Sequence, residues 1–193
     1  MIEHAWQRIE SWLRENDPDT LAALRPAATP AEIAATEAHL GVTLPDDLRA
    51  SYLIHDGQQG LTDSMDLPGL IEGWELLSLA GVRDEWTIWK DLRDDGTFEG
   101  SASAPVGPIR PEWWNARWIP LTRDGGGNSH CLDLDPAPGG GVGQIITMWH
   151  DDDTREIVAP SFGAWLTQFA DELDAGEYAY SEEYGGLVRV DNL

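Results

Sequence analysis

The chain has 193 residues, 41% of them hydrophobic, with ten tryptophans, which is enough apolar material for one domain with a sizeable core. Twelve Lys and Arg face 35 Asp and Glu, a formal charge of −23, a field that repels nucleic acid and anionic membrane and speeds encounter with a basic protein. No apolar run approaches the roughly 18–20 residues of a membrane span, and the start Met1-Ile2-Glu3-His4 is unlike a secretory signal. Cys131 is the sole cysteine, so neither an intrachain disulfide nor a cysteine-based zinc site can form, and the expected location is the cytoplasm.

The acidity is not a tail. Residues 1–96 hold 19 acids and 7 bases and residues 97–193 hold 16 and 5, so the halves carry −12 and −11. Within the second half, Glu156 to Val188 contains no Lys or Arg.

Ile2, Trp6, Ile9 and Leu13 fall on one side of an amphipathic helix. Asp17-Pro18 opens a short segment with Leu21 and Leu24. Thr29-Pro30-Ala31-Glu32 has the form of a capping box, starting a helix through Ile33, Glu37 and Leu40 that Gly41 stops. Leu44-Pro45-Asp46-Asp47 begins another helix, with acids in its first turn, a buried side of Leu48, Tyr52 and Leu53, and an end at Gly57. Trp74 to Leu77 is expected to be a strand, and Val82, Trp86 and Trp89 have helical spacing up to Asp94-Asp95-Gly96. Residues 96–108, rich in Gly, Ser, Ala and Pro, are expected to be a loop.

The rest is β-like until its last helix. Trp118 to Thr122 is a short strand in which Pro120 argues for an edge or bulge. Two glycine-rich turns, Asp124–Asn128 and Pro136–Gly141, flank the alternating segment His130–Asp135. Gln144–Trp149 and Arg155–Ala159 are further strands. Ser161 caps a helix whose Phe162, Trp165, Leu166, Phe169 and Leu173 share one side. The fold class is α+β: N-terminal helices, a central, mostly antiparallel sheet and a closing C-terminal helix.

Few residues form a chemical constellation. His150-Asp151-Asp152-Asp153 is a solvated turn whose side chains diverge. Asp133 and Asp135 lie about 7 Å apart on one strand face. With Asp124 they could serve a metal-dependent hydrolase, but the dense ligand run of a calcium loop is absent. Gly125-Gly126-Gly127-Asn128 enters a strand, not a helix, and so offers no phosphate site. His130 and Cys131, as strand neighbours, point to opposite faces and make no dyad. His55 is expected to cap the end of its helix. Trp113 and Trp114 cannot both face the same interior, so one of them is a candidate for exposure and for partner contact.

Three segments in order resemble the SMI1/KNR4 family of the SUKH superfamily. They are Thr29-Pro30-x-Glu32-Ile33 through Leu40-Gly41-Val42-x-Leu44-Pro45-Asp46-Asp47-Leu48 to Tyr52-Leu53-Ile54-His55-Asp56-Gly57; Trp118-Ile119-Pro120-Leu121 with Asp124-Gly125-Gly126-Gly127-Asn128 and Cys131-Leu132-Asp133-Leu134-Asp135-Pro136; and Gly143-Gln144-Ile145-Ile146 with Ser161-Phe162-x-x-Trp165-Leu166. The resemblance covers residues 1–176, leaving 177–193 as an acidic C-terminal extension. It implies a non-enzymatic protein with no cofactor and no metal. The expectation is an immunity protein that occludes a cytosol-acting bacterial toxin, a basic nuclease for instance. The alternative is a regulatory or scaffold protein linked to cell-wall synthesis or signalling. The expected partner is a basic protein, with neither nucleic acid nor membrane bound, and the chain a monomer or weak dimer. The candidate contact residues are Trp113, Trp114, Asp151, Asp152, Asp153, Asp171, Glu172, Asp174 and Glu177.

Overall fold

A computed structural model describes residues 1–59, 69–71, 73–181 and 186–192. The fold is α+β, as the sequence indicates. Helices α1 (Ile2–Asn16), α2 (Pro18–Ala23), α3 (Pro30–Leu40) and α4 (Asp46–Tyr52) come first, followed by β1 (Glu75–Leu76) and α5 (Leu79–Asp94). Strands β2 (Ala104–Val106), β3 (Trp118–Pro120), β4 (Thr122–Arg123), β5 (Ser129–Asp133), β6 (Gln144–Met148) and β7 (Thr154–Ala159) precede α6 (Phe162–Asp174), and the hairpin strands β8 (Tyr178–Ser181) and β9 (Gly186–Arg189) follow it.

The local chemistry explains the helix ends. The Thr29 hydroxyl accepts from the Glu32 amide at 3.3 Å while the Glu32 carboxylate accepts from the Thr29 amide at 2.7 Å, so two orphan donors are satisfied at once. Gly41 closes α3 in the left-handed region, at φ +67°. Helix α4 ends at Tyr52, earlier than Gly57 suggests, and Leu53 is 46% exposed because it already lies beyond the last turn. Gly57 has a different task. At φ +64° a Cβ there would stand 2.4 Å from the Leu77 carbonyl carbon, so glycine lets this turn press against the start of α5.

The main sheet runs β2-β7-β6-β5-β3. Its pairs are antiparallel except β2 with β7, which is parallel in the register Ala104↔Thr154. The expected loop over 96–108 therefore contains a strand. The expected strands from Trp74 and from Trp118 are shorter than drawn. Only Glu75 and Leu76 pair with β4, and the second run breaks after Pro120 into β3 and β4 in separate sheets. Pro120 sits in an edge strand, where its missing N–H leaves no ladder gap.

Strand β5 is buried along its whole length. The register Leu132↔Ile145↔Ala159 sets one face, against which α6 packs with α1 and α4; the register Cys131↔Ile146↔Ile157 sets the other, toward α5 and its neighbour α3. Helices on both sides leave this strand no water-facing side. The hairpin β8–β9 docks on α6 through Tyr178, whose ring meets Phe169 edge-on at 5.4 Å, and Leu187 of β9 is buried. Residues 182–185 and 193 of the acidic extension lie outside the described residues.

Candidate functional site

Trp113 and Trp114 differ in burial, though both reach the core. Trp114 is 4% exposed and packs against Trp86 at 6.3 Å, whereas Trp113 is half-buried. Both line a groove of ≈ 360 Å³ with Phe98, Arg93, Glu99 and Glu112. Its walls are fastened together: the Ser103 amide donates to the Pro111 carbonyl at 3.0 Å, and Ala102 bridges Glu112. Phe98 is held by stacking on Trp89 at 5.6 Å, so its position follows from the helical face of α5.

Beneath Trp113 lies Arg155, a residue that sequence reasoning did not single out. It is fully buried, with its guanidinium 5.4 Å from the centre of the Trp113 ring. Nη1 donates to the carbonyls of Asp152 and Thr154, each at 2.7 Å, and Nη2 to the Trp113 carbonyl at 2.9 Å. Nε has no acceptor among the described residues. Burial lowers its pKa from the ordinary arginine value. The same side chain thus ties the Asp151–Asp153 turn to the tryptophan pair. Those three aspartates are exposed, and Asp152 closes the turn by accepting from the Thr154 amide at 2.6 Å.

The other candidate acids are brought to a different place. Arg8 of α1 donates to Asp171 at 2.7 Å and to Asp174 at 2.5 Å. Arg189 of β9 reaches Glu172 at 2.9 Å and Glu177 at 3.2 Å. The stretch without Lys or Arg is therefore matched by two arginines from outside it.

The remaining residues singled out above have structural work. His55 does not cap its helix: its Nδ1 lies 3.0 Å from the Arg25 carbonyl and its Nε2 2.9 Å from Glu10. Asp133 is buried and accepts from Gln144 Nε2 and the Asp135 amide; burial raises its pKa. Asp135 pairs with Arg110 at 2.8 Å. Asp124 accepts from Gly126, Asn128 and the Asn128 side chain, and these bonds outweigh its partial burial to hold its pKa below the usual value. The three carboxylates do not converge, and among the described residues no cluster of three or more His, Cys, Asp or Glu is arranged for a metal ion. Cys131 and His130 do face opposite ways. The thiol is pushed well up by burial, and the imidazole lies 4.5 Å from the Trp74 ring and 5.1 Å from the Trp165 ring, with its pKa held down to about 4 by burial. Among the described residues no helix is long and apolar enough to cross a membrane.

Comparison with known proteins bears on what this surface serves. The chain is 31% identical over 205 residues to the cell wall assembly regulator SMI1 of Saccharomyces cerevisiae, covering 90% of this chain and 41% of that protein. It is 31% identical to the cell wall biosynthesis/cell cycle regulator smi1 of Schizosaccharomyces pombe, covering 96% and 39%, and 31% identical to the glucan synthesis regulatory protein of Neurospora crassa, covering 96% and 41%. The chain spans about two fifths of the length of these relatives. All three are named as regulators rather than enzymes. They overturn the expectation of a bacterial toxin-neutralising immunity protein, because the similarity runs to fungal wall regulators and brings no toxin with it. The SMI1/KNR4 (SUKH-1) family model matches residues 27–168, most of the folded core, and the chain belongs to that family.

Proposed function

We propose that this chain is a non-enzymatic regulatory or scaffold module acting in cell-wall synthesis through a protein partner, in the cytoplasm. The observation that carries this reading is similarity along nearly the whole chain to three regulators named for wall assembly, wall biosynthesis and glucan synthesis. The structure is compatible in kind. Its surface offers an aromatic groove, and the carboxylates that suggested a hydrolase are spent on turns and ion pairs. On this reading residues 1–176 form the family domain and 177–193 an acidic extension that adds a hairpin to it. Candidate partner contacts are Trp113, Trp114 and the Asp151–Asp153 turn, with Asp171, Glu172, Asp174 and Glu177 secondary because arginines already engage them.

The test is replacement of the matching segment of the Saccharomyces cerevisiae regulator by this chain, in a strain lacking the native protein. Restored incorporation of glucan into the wall is the expected result. A stably expressed chimera that leaves the wall as defective as in the deletion strain would overturn the reading.

A further inference from the structure

The groove between the end of α5 and the Trp113–Trp114 segment combines two features that select the same ligand. Its floor is aromatic: Phe98, Trp113 and Trp114. Its lining also carries two carboxylates, Glu99 and Glu112, that no base of the groove pairs. Among the described residues, Glu112 accepts from the neutral amide of Asn115, at 2.9 Å, and feels the nearby Arg110 guanidinium only at a distance, since that base is paired with Asp135, while Glu99 makes no side-chain hydrogen bond or ion pair. The one base in the lining, Arg93, is already engaged by Asp94 at 3.1 Å. A flat π-face beside carboxylates attracts a cation more strongly than either group alone, and a planar guanidinium satisfies both at once.

The chain displays this recognition on itself. Arg93 holds its guanidinium 5.6 Å from the centre of the Trp114 ring while it pairs with Asp94. Arg155 lies against Trp113 from inside, with backbone carbonyls rather than a carboxylate as its acceptors. Each tryptophan of the pair is thus supported by an arginine of the fold. The half-buried Trp113, Phe98, Glu99 and Glu112 offer the same pairing of ring and carboxylate, and Arg93, the base that shares their groove, is committed to Trp114 and Asp94 instead.

We propose that this groove binds an extended, arginine-bearing segment of a protein partner, an arginine entering between Glu99 and Glu112 to stack on the aromatic floor. The proposal rests on the protein-binding reading above and adds the face and the chemistry of the ligand. A groove that merely favoured aromatic contact would take a neutral sugar or an apolar peptide. A chain of charge −23 that merely attracted cations would take them anywhere on its surface.

The experiment uses the purified chain and a fluorescein-labelled Gly/Ser peptide bearing three arginines at alternate positions, followed by anisotropy at about 0.15 M salt, where exposed charges more than ~8 Å apart are largely screened. The Glu99→Gln/Glu112→Gln variant should bind about tenfold more weakly, roughly the loss of one charge-assisted contact. The Glu3→Gln/Asp19→Asn variant changes net charge equally at exposed sites elsewhere and should change affinity less than about twofold. Equal losses from the two variants would overturn the groove in favour of net-charge attraction. So would equal binding of a peptide with alanine for arginine, or binding of laminarihexaose with none of the arginine peptide. Phe98→Ala supplies an uncharged check and should also weaken binding. Because this assay needs no cell, its failure leaves the wall-regulator reading standing, and failure of the chimera leaves the groove standing.

Discussion

Two surface grooves of nearly equal size invite comparison. One, of ≈ 340 Å³, lies along α1 and is lined by His4, Gln7, Arg8, Ser11, Trp12, Glu15 and Asp174; the other, of ≈ 360 Å³, is the Trp113–Trp114 groove. Both offer indole surface and carboxylates. They differ in which acids the lining arginine engages. In the first, Arg8 lies in the groove and consumes Asp171 and Asp174. In the second, the lining Arg93 is taken up by Asp94, which is not part of the groove, and Arg155 is buried beneath, so Glu99 and Glu112 have no ion pair among the described residues. Equal acidity in the sequence thus becomes one surface that is internally neutralised and one that is open to a cation.

The sheet between the helical layers carries the same contrast inward, and the largest expected effect tests it there. On the α6 side, His130 is buried among aromatic rings and its pKa is held down to about 4 by burial. An unfolded histidine titrates near 6.5. Between those values the unfolded chain binds a proton that the native chain does not, so stability falls as pH falls from about 6.5 to 4, by roughly 3 kcal/mol in all. Asp133 works in the opposite sense, since a carboxylate whose pKa is raised adds stability as pH drops through its folded value. The comparison that isolates the histidine is His130→Gln, followed by denaturant titration at several pH values. The variant should lose the extra slope in that window. Parallel curves for parent and variant would show that the imidazole takes up its proton in place, and that the α6 side is less dry than its packing indicates.

On the groove side the buried base keeps its charge instead. Replacing Arg155 by Met removes three hydrogen bonds, leaves the carbonyls of Asp152, Thr154 and Trp113 without that donor, and takes away the support under the Trp113 ring. Against this stands relief of a desolvated cation. Three charge-assisted bonds should prevail, with a loss of about 2 kcal/mol in denaturant unfolding. Peptide binding should weaken as well, because the floor of the groove loses its backing. A variant as stable as the parent would mean that the cost of burying the cation cancels its bonds.

What the sequence made legible follows from the range of the interactions involved. The capping box at Thr29, the apolar side of α1 and the Ser161-capped α6 depend on residues within a few positions of one another, and each is where the pattern puts it. Strand β2 was hidden because its partner Thr154 lies far along the chain and its own residues, Ala104-Pro105-Val106, have weak strand character. The ion pairs of the candidate acids of α6 leave no local signal for the same reason, since Arg8 and Arg189 come from the two ends of the chain. The split between Trp113 and Trp114 could be deduced from their adjacency, but which of them is buried is decided by Trp86 and Arg155. Arg155 itself left no local signal. It follows an acid-rich turn, so a surface ion pair would be the ordinary guess, and only the fold puts its guanidinium inside.

The smallest effect on stability is the sharpest for the two grooves. Arg8→Gln removes an exposed pair of contacts between α1 and α6, so the melting temperature should fall slightly at low salt, and that difference should shrink near 1 M salt as screening takes over. Its effect on binding should be larger in kind. With Arg8 gone, Asp174 loses its ion pair and stands with Glu15 beside Trp12, which gives the first groove the unpaired carboxylates and indole of the second. The arginine peptide should then occupy a second, weaker site, read as a stoichiometry moving from one toward two. If the count stays at one, an indole with free carboxylates is not a sufficient description, and the backing of Trp113 by Arg155 becomes the feature that distinguishes the two grooves.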